Sequence, residues 1–416
     1  MVGTDGDDTF SGTSDAAGFG GTPAATVNNT DTADGGAGTD TINIVATSAA
    51  APLPTGLTNN IEIVNLISDV AGNNFNDGGA GTTIVNAASF TGVTQLWQIG
   101  AAAPDSVTGV TDSVTVGFNA TAALNDLQMV TGATTANVAL ANVATAGTIN
   151  IGETTAGTLT TANINGSTAA GGTVTVDLDT AAATGGVAAS AETTVNVGLS
   201  SNSTVVITST TATTNDFSAS TGNITSVGSA AATTVLGGSG NDSFTTGAAT
   251  VTSIDGGAGN DTIIATASTG AVTINGGAGN DAITASGNAD LITGGTGADT
   301  MTAAGGVDTF IINSGDSGIT AATSDTTIGF ASTTDKFDFN LAAGSATNFL
   351  NGGASSGYTD ALTNANTAFD GTVQYYFSAT GGGNGALFVD TDLDGTADMG
   401  IVTTGTAALV FGDIIA

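Results

Sequence analysis

The chain has 416 residues, with 36 acidic side chains, one base (Lys336) and no histidine or cysteine, for a formal charge of −35 at pH 7. Such a balance repels nucleic acid and anionic membrane surfaces, and it opposes compaction unless cations relieve it. It excludes disulfides, thiol nucleophiles, histidine-based triads and histidine-ligated zinc.

The acid is nearly all aspartate, with Glu62, Glu153 and Glu192 the exceptions, and it stands beside glycine. Asp–Gly pairing suits turns and oxygen ligands for calcium. A salt-adapted acidic surface would explain the sign of the charge but not that pairing.

Residues 1–45 hold two units of one pattern. Gly3–Ser11 reads Gly-Thr-Asp-Gly-Asp-Asp-Thr-Phe-Ser, a worn copy that puts Asp8 in the ligand position. Residues 35–43 read Gly-Gly-Ala-Gly-Thr-Asp-Thr-Ile-Asn and put Asp40 there. A third copy at 78–84 has lost its Asp and is expected to hold no metal.

Residues 46–235 are rich in Ala, Thr, Val, Asn and Gly. Period-two alternation over Ile61–Ile67, Ser113–Phe118, Thr173–Asp179, Thr193–Leu199 and Ser203–Thr208 predicts strands, with turns between them. Scarce aromatics favour thin stacked cores, a solenoid or a narrow sandwich. Phe90 and Trp97 read as a local plug, and Ala122–Met129 as the one candidate helix. Asn28, Asn119, Asn165, Asn202 and Asn223 stand in Asn-x-Ser/Thr triplets, which arise often by chance in so Thr-rich a chain.

Residues 236–312 carry the strongest signal. Gly-Gly-x-Gly-x-Asp, followed two residues on by an apolar side chain, occurs at 237–245 (Gly238, Gly240, Asp242), 256–264 (Gly257, Gly259, Asp261), 276–284 (Gly277, Gly279, Asp281) and 294–302 (Gly295, Gly297, Asp299). Asp290 and Asp308 complete a strict step of nine from Asp281, although their units, 285–293 and 303–311, lack the leading Gly-Gly. The glycines permit a tight left-handed turn that aims carbonyls at one point, the Asp adds a carboxylate there, and the apolar residue faces inward from a short strand. Two units make one coil, so Asp281 is expected over Asp299 and Asp290 over Asp308. Stacked carboxylates repel by about 1 kcal/mol per pair in water and more when desolvated. One edge is expected to carry calcium from Asp242 to Asp299, and the other only near Asp290 and Asp308.

These nonapeptides resemble the RTX (repeats-in-toxin) family of calcium-binding β-roll proteins. The resemblance implies an all-β fold: a parallel β-roll or solenoid with calcium-binding turns, an Ala/Thr-rich β body and a C-terminal β cap. It also implies export by a type I secretion machinery that reads an uncleaved C-terminal signal. The tail 408–416 is similar to such a signal, a final core strand being the alternative, and the start of the chain lacks the features of a Sec-type signal peptide. The segment 60–66, after the unit at 35–44, is also similar in style to secreted bacterial surface-layer proteins.

Residues 313–416 are expected to close the roll. Asp325–Phe330 and Thr334–Phe339 resemble the strand pair that caps such rolls, and the returning aromatics suggest a globular cap. Asp390-Thr-Asp-Leu-Asp-Gly-Thr-Ala-Asp (390–398) has the front half of an EF-hand loop. Asp390, Asp392, Asp394 and Asp398 are candidate calcium ligands there, on a loop joining two strands, with a bare hairpin turn as the alternative.

No catalytic apparatus stands out, and the close Asp pairs read as ligands before they read as a glycosidase pair. The expectation is a secreted, calcium-dependent, non-enzymatic protein at the cell surface that assembles with itself into a layer or filament. A calcium-dependent adhesin or biofilm-matrix module is the alternative, with cell-surface polysaccharide as a partner. An ice-binding ladder is disfavoured, since Thr158, Thr160, Thr173, Thr175, Thr193 and Thr194 keep no single step.

Overall fold

The computed structural model describes residues 2–14, 33–47, 51–52, 58–68, 75–76, 84–100, 106–119, 126–143, 147–155, 157–169, 171–178, 187–188, 191, 193–227, 232–247 and 250–416. The copy at 78–84 that has lost its Asp lies outside these residues apart from Ile84, as does Asn28. The chain divides into two compact units, Met1–Asn215 and Asp216–Ala416. Each is a parallel β-solenoid in which the chain alternates between two sheets.

In the first unit, one sheet runs through Thr41–Ala46, Ile63–Ile67, Gln95–Ile99, Thr115–Asn119, Thr135–Val143, Thr161–Thr168 and Thr194–Leu199, all parallel. Alternation sends every second side chain inward. Ile42, Val64, Leu96, Val116, Val138, Ile164 and Val197 therefore form one register row, and all are buried. Burying each such side chain contributes about 1.5–3 kcal/mol. The second sheet stacks Ser106–Val110, Leu127–Met129, Gly147–Glu153, Gly172–Asp177 and Ser203–Thr208 in the same way.

Two expectations fail here. Leu127–Met129 is a strand, paired with Gly147–Glu153. The rest of the proposed helix, except Asp126, lies outside the described residues. Trp97 is no plug: it lies on the outer face, bonded to Gln95 and flat over Gly117, where any Cβ would collide with the indole. Phe90 is buried as expected.

In the second unit, one sheet stacks Thr234–Leu236, Ser253–Asp255, Thr273–Ala278, Leu291–Thr296, Thr309–Ile311 and Lys336–Asp338. Its inward row is Val235, Ile254, Ile274, Ile292, Phe310 and Phe337, all buried. The facing row is Phe244, Ile263, Ile283 and Met301. Val235, Ile254 and Phe244 line one shared internal space, so the two sheets enclose a single thin core.

The expected capping pair continues the two stacks of the roll by one rung. Asp325–Ile328 pairs with Thr300–Thr302, and Lys336–Asp338 pairs with Thr309–Ile311 on the opposite sheet. Each is covered in turn, by Met399–Thr404 and Ile414–Ile415. An antiparallel run, Tyr375–Gly381, Asn384–Val389 and Met399–Thr404, then ends the sheet together with Phe349–Ala354. An unforeseen helix, Tyr358–Ala368, buries Ala361 and Ala365 against Tyr376, Ala386 and Phe388. It is the one α-helix among the described residues, and no helix there is long and apolar enough to cross a membrane.

Candidate metal-binding turns

The aspartates stack as their spacing requires. Asp242 N–H donates to Asp261 Oδ1 at 2.7 Å, Asp261 to Asp281 at 2.7 Å and Asp281 to Asp299 at 2.8 Å. On the other edge, Asp290 N–H donates to Asp308 Oδ1 at 2.9 Å. In the first unit, Asp8 donates to Asp40 at 2.8 Å. Each carboxylate thus satisfies a backbone donor one coil away, a role that needs no metal.

Asparagine supplies the return bond. Asn260 N–H donates to Asn241 Oδ1 at 2.8 Å, Asn280 to Asn260 at 2.7 Å and Ala298 to Asn280 at 2.9 Å. Rungs are therefore clamped in both directions by adjacent residues. In the first unit, Thr39 N–H to Asp7 Oδ1 (2.8 Å) plays the same part. The sequence signal for this clamp, an Asn or Asp just before the ligand Asp, is plain once its geometry is known.

The other carboxylate oxygen separates two kinds of site. Oδ2 of Asp40, Asp261, Asp281, Asp299 and Asp308 is buried and has no hydrogen-bond partner. The first four follow turns whose second and third glycines are left-handed: Gly36 and Gly38, Gly257 and Gly259, Gly277 and Gly279, Gly295 and Gly297. Gly305 and Gly306 take positive φ before Asp308. Beside Gly256, the space where a side chain would begin is bounded by Asp261 Oδ2 and the Gly276 carbonyl. Asp281 Oδ2 and the Gly294 carbonyl bound the same space beside Gly276, as do Asp40 Oδ2 and the Asn60 carbonyl beside Gly35. A buried anionic oxygen costs several kcal/mol unless paired. A cradle whose nearest polar atoms are such an oxygen and a carbonyl fits a hard divalent cation.

Three expected ligands are already engaged. Asp242 Oδ2 accepts from Gly238 N–H at 3.1 Å, and neither Gly238 nor Gly240 takes positive φ, so this copy of the motif does not adopt the turn geometry of the others. Asp290 Oδ2 accepts from the backbone and hydroxyl of Ser286, at 2.8 and 2.9 Å. Asp8 Oδ2 accepts from Thr4 N–H at 2.5 Å.

Burial sets the electrostatics. Desolvation, reinforced by neighbouring carboxylates, pushes Asp261 and Asp299 up to about 7 and Asp308 up to about 6. Burial also raises Asp242 and Asp281.

Sequence reading missed other members of these ladders. Asp325 accepts from Asp299 N–H and Asp335 from Asp308 N–H, both at 3.0 Å, so each edge runs one rung beyond the repeats. Glu62 accepts from Asp40 N–H at 2.8 Å. In the body, threonine holds a corner without charge. Thr160, Thr193 and Thr213 donate backbone N–H to the carbonyls of Thr134, Thr160 and Thr193, and each hydroxyl donates to the same oxygen as its own N–H.

The 390–398 loop joins two antiparallel strands, with Val389 opposite Met399. Carboxylate oxygens of Asp390, Asp392 and Asp398 lie within 4.8 Å of one another and could hold a metal ion. Asp394 is not one of the three; its N–H and that of Gly395 donate to Asp390, at 3.2 and 2.9 Å, and Thr391 N–H donates to Asp398 Oδ2 at 2.7 Å, so the loop also holds itself without a metal.

In comparisons with known proteins, no family model and no curated protein matches the chain.

Proposed function

We propose that this chain is a calcium-dependent structural protein of the bacterial exterior, of RTX type, which folds on meeting calcium and assembles with copies of itself into a surface layer or filament. The observation that carries the reading is the coincidence, at Asp40, Asp261, Asp281 and Asp299, of a left-handed glycine pair with a buried, unpartnered carboxylate oxygen. Bound calcium supplies positive charge and accepts six to eight oxygens at each such turn. The chain's own residues do the rest. Left-handed glycines turn carbonyls inward, Asp Oδ1 fixes each carboxylate against the next rung, and Oδ2 is left facing the cradle. Without cation, the stacked charges repel and favour an extended, exportable chain; with it, ordering of the roll is coupled to binding.

Self-assembly draws support from the outer face of the first unit. Val45, Ile67 and Ile99 align there in register, half-buried, beside Trp97. An outward apolar row gives a neighbouring copy apolar surface to cover.

The test is calcium titration of metal-free protein, followed by circular dichroism, light scattering and negative-stain imaging. Ordered sheets or fibres that form with calcium and dissolve with chelator support the proposal. Monodisperse particles at saturating calcium point instead to an adhesin, and unchanged β-structure in chelator removes the calcium reading altogether.

A further inference from the structure

In the first unit, the sheet that begins at Thr9–Ser14 and runs to Thr194–Leu199 is eight strands wide. None of these strands contains a charged residue, although the chain carries a formal charge of −35. Among the described residues beside them, acid stands at the turns leading in, as at Asp40, Glu62 and Asp112, where backbone donors hold it. Charge returns on other surfaces. Asp177 lies in register with Asn150 and Thr208 on the outer row of the unit's second sheet, and Asp255 and Asp338 end strands of the second unit.

The amides on this face are paired within it. Asn65 donates to Asn43 Oδ1 at 2.7 Å, Asn163 to Asn137 at 2.9 Å and Asn196 to Asn163 at 2.8 Å. Asn137 donates to the Asp112 carbonyl at 2.9 Å, and Trp97 Nε1 to Gln95 Oε1 at 2.9 Å. Covering groups that already hold partners strands few donors, so desolvation costs little. Beside the amides, Val45, Ile67 and Ile99 stand in one outward row, and the indole of Trp97 lies flat over Gly117. A sugar polymer needs open donors and acceptors. A protein contact needs what this face presents: a tryptophan, apolar side chains and no charge at the centre.

The missing charge also bears on the partner's sign. A neutral partner is indifferent to carboxylates, whereas an anionic one is repelled by them. A second copy of this chain is such an anionic partner, and it brings the same uncharged face. Eight strands about 4.8 Å apart and about 17 Å long present roughly 600 Å² a side, so two copies bury about 1,200 Å² between them, the lower end of the range for specific interfaces. We propose that the outer face of this sheet pairs with the same face of a second copy, with Ile67 and Trp97 of each inside the contact. Copies join here through uncharged surface, with no bridging cation, and one patch serves both partners.

This pairing deepens the self-assembly reading and rests on it, and its test separates the two. Trp97 is the only tryptophan, so its fluorescence reports on this face alone. Full-length protein at saturating calcium and about 0.15 M salt, where long-range repulsion is screened, is followed over a concentration series by sedimentation and by acrylamide quenching. The expected result is association that shields Trp97 from the quencher as it proceeds. Ile67→Asp should weaken that association at least about tenfold, while Val206→Asp, outward on the second sheet, leaves it unchanged. Association with Trp97 still open to quencher, or equal association of the two variants, means that copies meet elsewhere; it overturns this face and leaves self-assembly intact. Protein that stays monomeric overturns both. Shielding by a soluble neutral β-glucan, and not by protein concentration, gives the face to a glycan and overturns the pairing. Should Ile67→Asp fail to fold, the wild-type concentration series decides.

Discussion

Asp281 donates its backbone N–H to Oδ1 of Asp299 at 2.8 Å, while Oδ2 of that same Asp299 is buried with no partner. One oxygen holds the coil together and the other is left open. The two roles are separable by mutation.

Asp281→Asn keeps an oxygen for the Asp261 N–H (2.7 Å) and removes the buried charge. Calcium stoichiometry should fall by one, while the metal-free protein becomes more stable, on the order of 1 kcal/mol. Asp290→Asn should leave stoichiometry unchanged and cost about 1–3 kcal/mol, because its amide meets the Ser286 N–H donor-to-donor. Calorimetry and chemical denaturation read both. Equal loss of calcium in the two variants would mean that bonded and bare carboxylates are equivalent, and the division of labour between the two oxygens would fall.

The metal-free protein should depend on pH with an unusual sign. Asp261, Asp299 and Asp325 are pushed up to about 7 and Asp308 to about 6, chiefly by burial. A raised carboxyl pKa means the folded state binds more protons than the unfolded one. The stability linked to these groups is complete below about pH 4 and is lost as pH rises toward 7. In chelator, circular dichroism should show β-structure strengthening on acidification across that window. A metal-free protein whose melting temperature peaks near neutrality contradicts this.

Chelation should act unevenly. Thr160, Thr193 and Thr213 are held to the rung before by hydroxyl and backbone bonds to a carbonyl, and Thr134 by an Asp112 carboxylate whose oxygens its own N–H and hydroxyl satisfy, so these rungs need no cation. Hydrogen exchange in chelator should stay slow across 135–143, 161–168 and 194–199 and rise across 256–302. Uniform loss of protection would show that the two regions fold as one cooperative block.

Gly277 has φ 105°, and a Cβ there would collide with the Gly257 carbonyl. Gly277→Ala should destabilise the calcium-loaded roll by at least about 1–2 kcal/mol from the left-handed backbone alone. Gly287, without positive φ and with open space around it, should tolerate Ala to within about 0.5 kcal/mol. Thermal melts of the two variants at saturating calcium compare them directly.

Much of the fold was legible because a solenoid repeats its physics every coil. The nine-residue step put Asp281 over Asp299 and Asp290 over Asp308, and the alternation over Ile61–Ile67, Ser113–Phe118 and Thr193–Leu199 made strands whose Val64, Val116 and Val197 share one buried row. Where the repeat is diluted, the signal fails. Asp325 and Asp335 escaped notice because steps of 26 and 27 residues from Asp299 and Asp308 break the spacing. The helix Tyr358–Ala368 escaped because its Thr and Asn residues have poor helix propensity, and the face carrying Ala361 and Ala365 supplies the compensation.

Sequence alone determined the coil, its inward rows and the identity of its acidic corners, since these follow from local period and from what glycine permits. It could not decide which carboxylates remain open. Asp242 and Asp281 look alike as letters, yet the Gly238 N–H occupies the second oxygen of Asp242, while that of Asp281 stays bare. Only the folded chain settles this, because a hydrogen bond depends on where a neighbouring donor comes to rest, and that is fixed by the turn's backbone angles and by the rungs stacked above and below.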